Sequence, residues 1–542
     1  MNTRRLELIL VTVLAVIYHL LFWQEKFGLN LLLFSSVLTA LALVRNRQNV
    51  LRPTVIITVI GTITSGASVI LYDSLMAKII HLLSFPVMLG FIYQGELRSI
   101  YYALSSAVAN FLTVPKRLLY DSSVALNKKY KLNWLWRFMK LFFIPLMTFC
   151  LFLLIYNFAS PFFGEYVALS FTWLNEVFSF IWETISFSHL LFWVLGILII
   201  TGSLFDARVR SFVDQEGRLS DLMKRVRKTK PLGPTVDREA YMRLHGKKNP
   251  LGLKREAYVS IMLMVLVNLL LVAVNFIDIE TLWYGFKVPI GFSLKQFVHE
   301  GTFLLIFSIL LSMGILLYFF RGNQNFYAKN KWLKRLAYVW IAQNVLLVIS
   351  VFLRNYHYID YHGLAYRRIG VIAFLLLTAV GLVTLLLKIQ QRKSFYYLLR
   401  VNSWAVYLVL VAMCFVNWDV HVVNYNLGHH RPNEIDIDNY LELSPRVYPI
   451  LYANLHVIEQ QMRMHQNNRQ VWVEHTDPFR FHDALDRKRE LYLSEWLDYG
   501  WPSWTLADAE TLEAFKDEYQ NLQALRQASE ARQAAYAQSK KR

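Results

Sequence analysis

Apolar runs of about 17 to 20 residues recur along this chain. A segment of that kind crosses a bilayer only as a helix, because the hydrocarbon holds no water to satisfy an unpaired backbone. Eleven runs meet the requirement: 7–23, 28–44, 54–72, 74–93, 141–158, 187–205, 259–277, 301–320, 336–353, 369–389 and 403–417. They predict an all-α fold, a polytopic helical membrane bundle of about 11 spans. The first and last runs are short, so counts of about 10 or 12 are the neighbouring solutions.

The connecting segments test the count. With Arg4 and Arg5 in the cytoplasm, the segments 45–53, 94–140, 206–256, 321–335 and 390–402 fall on the same side, and all are basic. The segment 159–186 falls on the other side and holds Glu165, Glu176 and Glu183 with no Lys or Arg. This is the bias that orients bacterial inner-membrane proteins. It places the N-terminus in the cytoplasm and everything after the last span in the periplasm. The first run begins after two arginines, as a signal sequence does, but no small-residue cleavage site precedes Gln24 and a second run follows at once. An uncleaved first span is expected.

A hydrophobic content of 55% and a mean hydropathy of +0.33 agree with membrane residence. The net charge of +19 is unevenly spread: from Trp418 onward there are fourteen Lys and Arg against nineteen Asp and Glu. The basic excess therefore lies among the spans, where it reports orientation, and no nucleic-acid partner is expected. The two cysteines, Cys150 and Cys414, fall inside apolar runs, where a thiol acts as a small hydrophobe.

Four parts follow: an N-terminal bundle of about six spans over 1–205, a basic cytoplasmic loop over 206–256, a C-terminal bundle of about five spans over 257–417, and an acidic, helical extracytoplasmic domain over 418–542. The loop 206–256 carries Arg225, Arg227, Lys228 and Lys230, read either as an anionic-lipid or partner site or as an orienting linker. Trp173, Phe178 and Trp182 make 165–184 an interfacial amphipathic helix or an extension of the sixth span. Leu512, Phe515, Tyr519 and Leu522 recur at helical spacing in the tail, a stripe that predicts packing.

The stretch Arg354 to Arg368 breaks the charge pattern, placing three arginines on the outer side. Arg354, Arg367 and Arg368 with Tyr356, Tyr358 and Tyr361 are candidate anion-binding residues, because a guanidinium donates paired hydrogen bonds to phosphate or carboxylate and phenols add donors. An outer polar cluster of Asp278, Glu280, His299, Glu300, Asn417, Asp419, Asn424 and Asn426 is expected beside them. The alternative is that these acids neutralise the arginines, since charges at a membrane boundary pair internally by default. His299, Glu300, His357, His362 and His421 are zinc-ligand types without a fixed short spacing, so no metal site is assigned. Lys78 and His81 suggest an ion or proton path, or snorkelling; Gln343 and Asn344 suggest hydrogen bonds between helices. No phosphate-binding loop, nucleophile elbow or dinucleotide fingerprint occurs, and no cofactor is expected.

Several phrases carry a family resemblance: Phe27-Gly-Leu-Asn30, Leu282-Trp-Tyr-Gly285, Gln296-Phe-Val-His-Glu-Gly301, Trp340-Ile-Ala-Gln-Asn344, Arg354-Asn-Tyr-His-Tyr-Ile359, Tyr361 to Ile369, and Asn417-Trp-Asp419 with Asn424-Tyr-Asn426. Over most of 27–450 the chain resembles a bacterial, Bacteroidetes-type family of polytopic membrane proteins known only as a domain of unknown function. The resemblance implies a membrane bundle and no reaction. The residues themselves lead to a protein that binds or moves an anionic or lipid-linked envelope component at an outward-facing site built by 278–300, 354–368 and 417–426, with membrane lipids as its surroundings. Two alternatives stand beside this. One is a membrane-embedded glycosyl or phosphoglycosyl transferase using Asp278, Glu280, Glu300 or Asp419; the other is a non-enzymatic envelope scaffold or sensor whose C-terminal domain meets an envelope protein.

Overall fold

The computed structural model describes residues 3–114, 145, 149, 187–206, 210–224, 250–284, 294–327, 330–429, 437–466 and 478–524. Most of the expected span 141–158, the segment 165–184, most of the loop 206–256 and Cys150 lie outside them. Among the described residues the chain is helical, and its one β-type pairing is an isolated bridge between Leu222 and Lys393.

Ten of the eleven apolar runs fall in described helices. These are α1 (Thr3–Phe22), α2 (Leu29–Arg45), α3 (Pro53–Tyr72), α4 (Leu75–Tyr93), then, after a helix α5 (Ile100–Val114), α6 (Phe187–Leu204). A short helix α7 (Ser211–Gly217) is followed by α8 (Pro250–Asp278), α9 (Leu294–Phe319), α10 (Lys331–His362), α11 (Tyr366–Gln391) and α12 (Phe395–Met413). Seven described helices are long and apolar enough to cross a membrane. Their lipid-facing residues stay apolar and exposed, as on the outward faces of α8 and α9.

Two boundaries differ from the hydropathy reading. The helix α5 lies within what reads as loop 94–140: its small residues Ala103 and Ala107 are buried, Ala103 abuts Gly90 of α4, and Asn110 donates to the carbonyls of Gly202 and Phe205. The loop 390–402 shrinks to three residues, because Ser394 accepts a hydrogen bond from Tyr397 N and starts α12 well before the apolar run does.

Helices α8 to α11 share a core of Met264, Ile309, Leu316, Trp340, Leu347 and Leu382, while α1 to α4 and α6 share smaller ones. Helix α12 packs on both α11 and α3 and so joins the halves, with Cys414 just beyond its end buried among Leu31, Val69 and Ala77. Polar side chains inside the bundle are used between helices. Gln343 donates to Asn268 at 2.6 Å and Asn275 donates to the Gln343 carbonyl, whereas Asn344 turns back to Trp340 O within its own helix.

After α12 come α13 (Trp418–Leu427), α14 (Tyr448–Ala453), α15 (Leu455–Gln466), α16 (Pro478–Trp496), α17 (Leu506–Ala514) and a helix over 516–524. Tyr440, Leu451, Ile458, Phe481, Leu485, Leu493 and Trp496 form their core, which continues through Val422 and Val423 to Ile369 at the start of α11. The stripe Leu512, Phe515, Tyr519 and Leu522 packs against it. Glu7 pairs with Arg45 at the basic end of the bundle, whereas these C-terminal helices sit on the opposite end, with α17 against α3.

Candidate functional site

The stretch 354–368 is not an open loop. Helix α10 runs 32 residues, about 48 Å at 1.5 Å per residue, so its last two turns rise beyond the hydrocarbon and carry Arg354 to His362. Only Gly363, Leu364 and Ala365 connect it to α11. Gly363 adopts φ +75°, a left-handed conformation that glycine takes without a Cβ clash, and a Cβ there would stand 2.4 Å from Asn426 Oδ1.

The three arginines have three different fates. Arg354 is buried and donates to Asp278 at 2.5 Å. Arg368 is buried, donates to the carbonyls of His362 and Gly363, and lies over the Tyr358 ring, closing the turn between α10 and α11. Arg367 is exposed and makes no ion pair among the described residues. Tyr356 is also exposed, Tyr358 is buried, and Tyr361 is half-buried.

The expected outer cluster is divided rather than gathered. Asp278 belongs to Arg354; Glu280 is exposed on a π-helical turn over Ile279–Trp283. Asp419 accepts from the Tyr366 hydroxyl at 2.7 Å. Asn417 caps α13 by accepting from Val420 N. Asn424 is exposed, and Asn426 is buried and bonded to both backbone groups of Leu364. The side chains of His299 and Glu300 lie outside the described residues. Among the described residues no three His, Cys, Asp or Glu gather as a metal site.

Among the described residues a four-charge cluster lies elsewhere, at the joint between the bundle and the C-terminal helices. Lys26 Nζ stands 2.9 Å from Asp508 and 3.1 Å from Asp73, and Lys78 reaches Asp73 at 2.6 Å. The four side chains are 19, 6, 13 and 18% exposed for Lys26, Asp508, Asp73 and Lys78, so two positive and two negative charges balance in a largely dry space. Tyr492 and Thr505 both donate to Asp508, and Lys26 lies over the Trp496 ring.

The elements around the cluster explain its placement. Asn30 closes the α1–α2 turn by accepting from Gly28 N and donating to Leu21 O and Lys26 O. Gly28 lets the Ser503 carbonyl approach within 2.4 Å of where a Cβ would stand, and Leu29 N donates to Trp504 O. Glu25 accepts from Gly500 N and the Ser503 hydroxyl. A second tie sets Arg446 against Leu71 O and Glu510.

Burial pushes the Asp73 carboxyl above the ordinary carboxylate range, and the nearby charge of Asp508 pushes it further, against the pull of Lys26 and Lys78. Burial alone would lower Lys26, but Asp73 and Asp508 outweigh it and hold its ammonium above the ordinary lysine value. Burial first, then the Asp508 charge, raises the Tyr492 phenol.

Sequence reading missed this cluster because its three membrane-turn members come from two separate turns and Asp508 lies 482 positions from Lys26. Lys78 alone drew notice, and it is held by Asp73 at the helix end. His81, one turn further on, directs Nδ1 at the Thr62 carbonyl (3.1 Å) and the Ser65 hydroxyl (3.2 Å).

No curated protein and no solved structure matches the chain. Residues 8–454 match the domain of unknown function DUF4153. A bundle of long apolar helices, matched over most of its length to that domain, makes this chain a member of the DUF4153 family of membrane proteins.

Proposed function

We propose that the protein is a non-enzymatic scaffold or sensor of the bacterial inner membrane, with its N-terminus in the cytoplasm and its C-terminal helices held as a periplasmic domain on the outer end of the bundle. The observation that carries this reading is the buried Lys26–Asp73–Lys78–Asp508 cluster, which locks a soluble-type helical domain to two membrane turns. The opposite end carries the cationic turns around Arg45, Arg47, Arg52, Arg392 and Lys393, which by the charge bias belong in the cytoplasm. The cluster's own partners satisfy its carboxylates, which leaves them poorly placed to act as a base or to hold a metal. A transfer reaction asks for outer carboxylates converging on a substrate, and Asp278 and Asp419 have separate partners.

A second reading keeps an acidic or lipid-linked envelope component as ligand. It rests on Arg367 and Tyr356, which are exposed at the outer end. Two variants separate the readings in cells whose growth or envelope integrity depends on the protein. For the scaffold, Lys26→Ala with Asp508→Ala frees the 437–524 region to added protease and reproduces the deletion phenotype, while Arg367→Ala leaves it silent. The scaffold reading fails if the loosened variant supports wild-type growth. A reporter fused at Arg542 that is active only in the cytoplasm would overturn the orientation.

A further inference from the structure

The basic end of the bundle carries a cavity of about 480 Å³ between the segment 218–224 and the start of α12. Two main-chain ties build it: Met223 N donates to Arg392 O at 2.9 Å and Ser394 N to Asp221 O at 2.8 Å, around the Leu222–Lys393 bridge. The nearby acids are already used. Glu216 is buried and accepts from the amides of Arg98 and Ser99 and from the Tyr396 hydroxyl, while Asp221 pairs with Arg400. No acidic residue lines the cavity, whereas Arg218 and Lys224 do; both are exposed, and neither makes an ion pair among the described residues.

The floor of the cavity is apolar and open. Leu222 and Phe395 are strongly exposed, and Phe395, Leu399 and Val406 recur at helical spacing along the outward side of α12, which the bilayer covers. Two cations above an apolar track that runs down a membrane helix match one chemistry: a phosphate headgroup with acyl chains attached. Ser394 caps Tyr397 N, and the first turn of α12 adds the amides of Phe395 and Tyr396, which no intrahelical carbonyl satisfies.

We propose that this cavity is a binding site for an anionic phospholipid of the adjoining leaflet, its phosphate held between Arg218 and Lys224 and its chains lying on Leu222, Phe395 and Leu399. A soluble phosphate would use the cations but gain nothing from the apolar track. The lipid would also bridge the segment after α7 to α12 and so brace the joint between the two halves of the bundle.

The test uses the full-length protein in nanodiscs of phosphatidylethanolamine with phosphatidylglycerol, and counts the lipids retained by native mass spectrometry. Arg218→Ala with Lys224→Ala should lower retained phosphatidylglycerol about thirtyfold while phosphatidylethanolamine is unchanged, on the usual strength of two basic residues at an anionic surface. Arg47→Ala with Lys331→Ala, which removes two exposed cations elsewhere on the same end, should leave retention as it is. Leu222→Ser with Phe395→Ser should lower lipid retention too. The milder Arg218→Gln and Lys224→Gln variants keep the test open should the double alanine fail to fold. Equal loss in the Arg47 and Lys331 control, unchanged retention in the Arg218 and Lys224 variants, or displacement of the lipid by free glycerol phosphate would each overturn the proposal.

Discussion

Asn426 grips Leu364 by both of its main-chain groups: its Oδ1 accepts from Leu364 N at 2.6 Å and its Nδ2 donates to Leu364 O at 2.9 Å. One buried amide on α13 thereby satisfies both backbone groups in the middle of the α10–α11 turn. Helix α13 is fixed to the membrane bundle through this contact, and Gln461 of the C-terminal helices donates in turn to the Asn426 carbonyl.

Gly363→Ala forces a left-handed residue to carry a Cβ against the Asn426 amide, and Asn426→Ala strips Leu364 of both partners. Each should cost about 1–3 kcal/mol. The double variant should cost less than the two together, because the smaller side chain at 426 removes the clash. Thermal unfolding in one detergent measures the cycle, and strict additivity would contradict the geometry.

Removing Arg354 takes from buried Asp278 its ion-pair partner. Arg354→Leu should destabilise by about 3–5 kcal/mol, and adding Asp278→Leu should recover most of it. The same measurement decides whether the pair is structural. If Arg354→Leu is silent, Arg354 is not consumed by Asp278, and an anion-binding role for it revives.

In the Lys26 cluster the loss of the cation is worse than the loss of one acid. Lys26→Met leaves Asp73 and Asp508 facing each other, whereas Asp508→Asn leaves Lys26 with Asp73 and keeps the Tyr492 and Thr505 contacts possible. Limited proteolysis of the 437–524 region in native membranes should rank Lys26→Met well above Asp508→Asn in cleavage rate. The reverse order would show that Asp73 and Asp508 tolerate each other without the lysine.

The same joint should open in alkali. Lys26 and Tyr492 both have folded-state pKa values raised above their ordinary 10.5 and 10.0. Their contribution is complete below those values and is lost as pH rises through the folded-state ones. Asp73, also raised, acts from the acid side: its contribution is complete below the ordinary carboxylate value and is lost as pH rises through its folded-state one, so the alkaline opening rests on Lys26 and Tyr492. Protease protection of the C-terminal helices should therefore hold through neutral pH and fall above about pH 10.5. Tyr492→Phe should move that midpoint, and loss of protection at neutral pH in the intact protein would contradict the assignment.

Inside the bundle, Gln343→Leu breaks the hydrogen bond to Asn268 while sparing packing volume. A cost of about 0.6 kcal/mol is expected, rising no higher than about 1.7 kcal/mol. Unfolding in detergent measures it; a much larger loss would mean that the amide supports more than this one helix pair.

The sequence by itself determined that this is an all-α membrane bundle, where most spans lie, and which of its ends is basic. Hydrocarbon allows one spanning helical solution to each apolar run, and charge bias sorts the turns by side. It also determined the packing face of the tail, because the stripe from Leu512 to Leu522 follows helix geometry alone. The tertiary structure decided what the polar residues do. Nothing local says that Arg354 meets Asp278 and not Glu280, since the two acids are two positions apart and only the rotation of α8 into its π-helical turn separates a buried carboxylate from an exposed one. Nothing local could pair Lys26 with Asp508, 482 positions away. Apolar burial is read from periodicity, whereas the pairing of charges depends on which helix ends the packed bundle brings within a few ångströms. For that reason the stretch 354–368 stood out in the sequence, while the cluster that ties the C-terminal helices to the membrane did not.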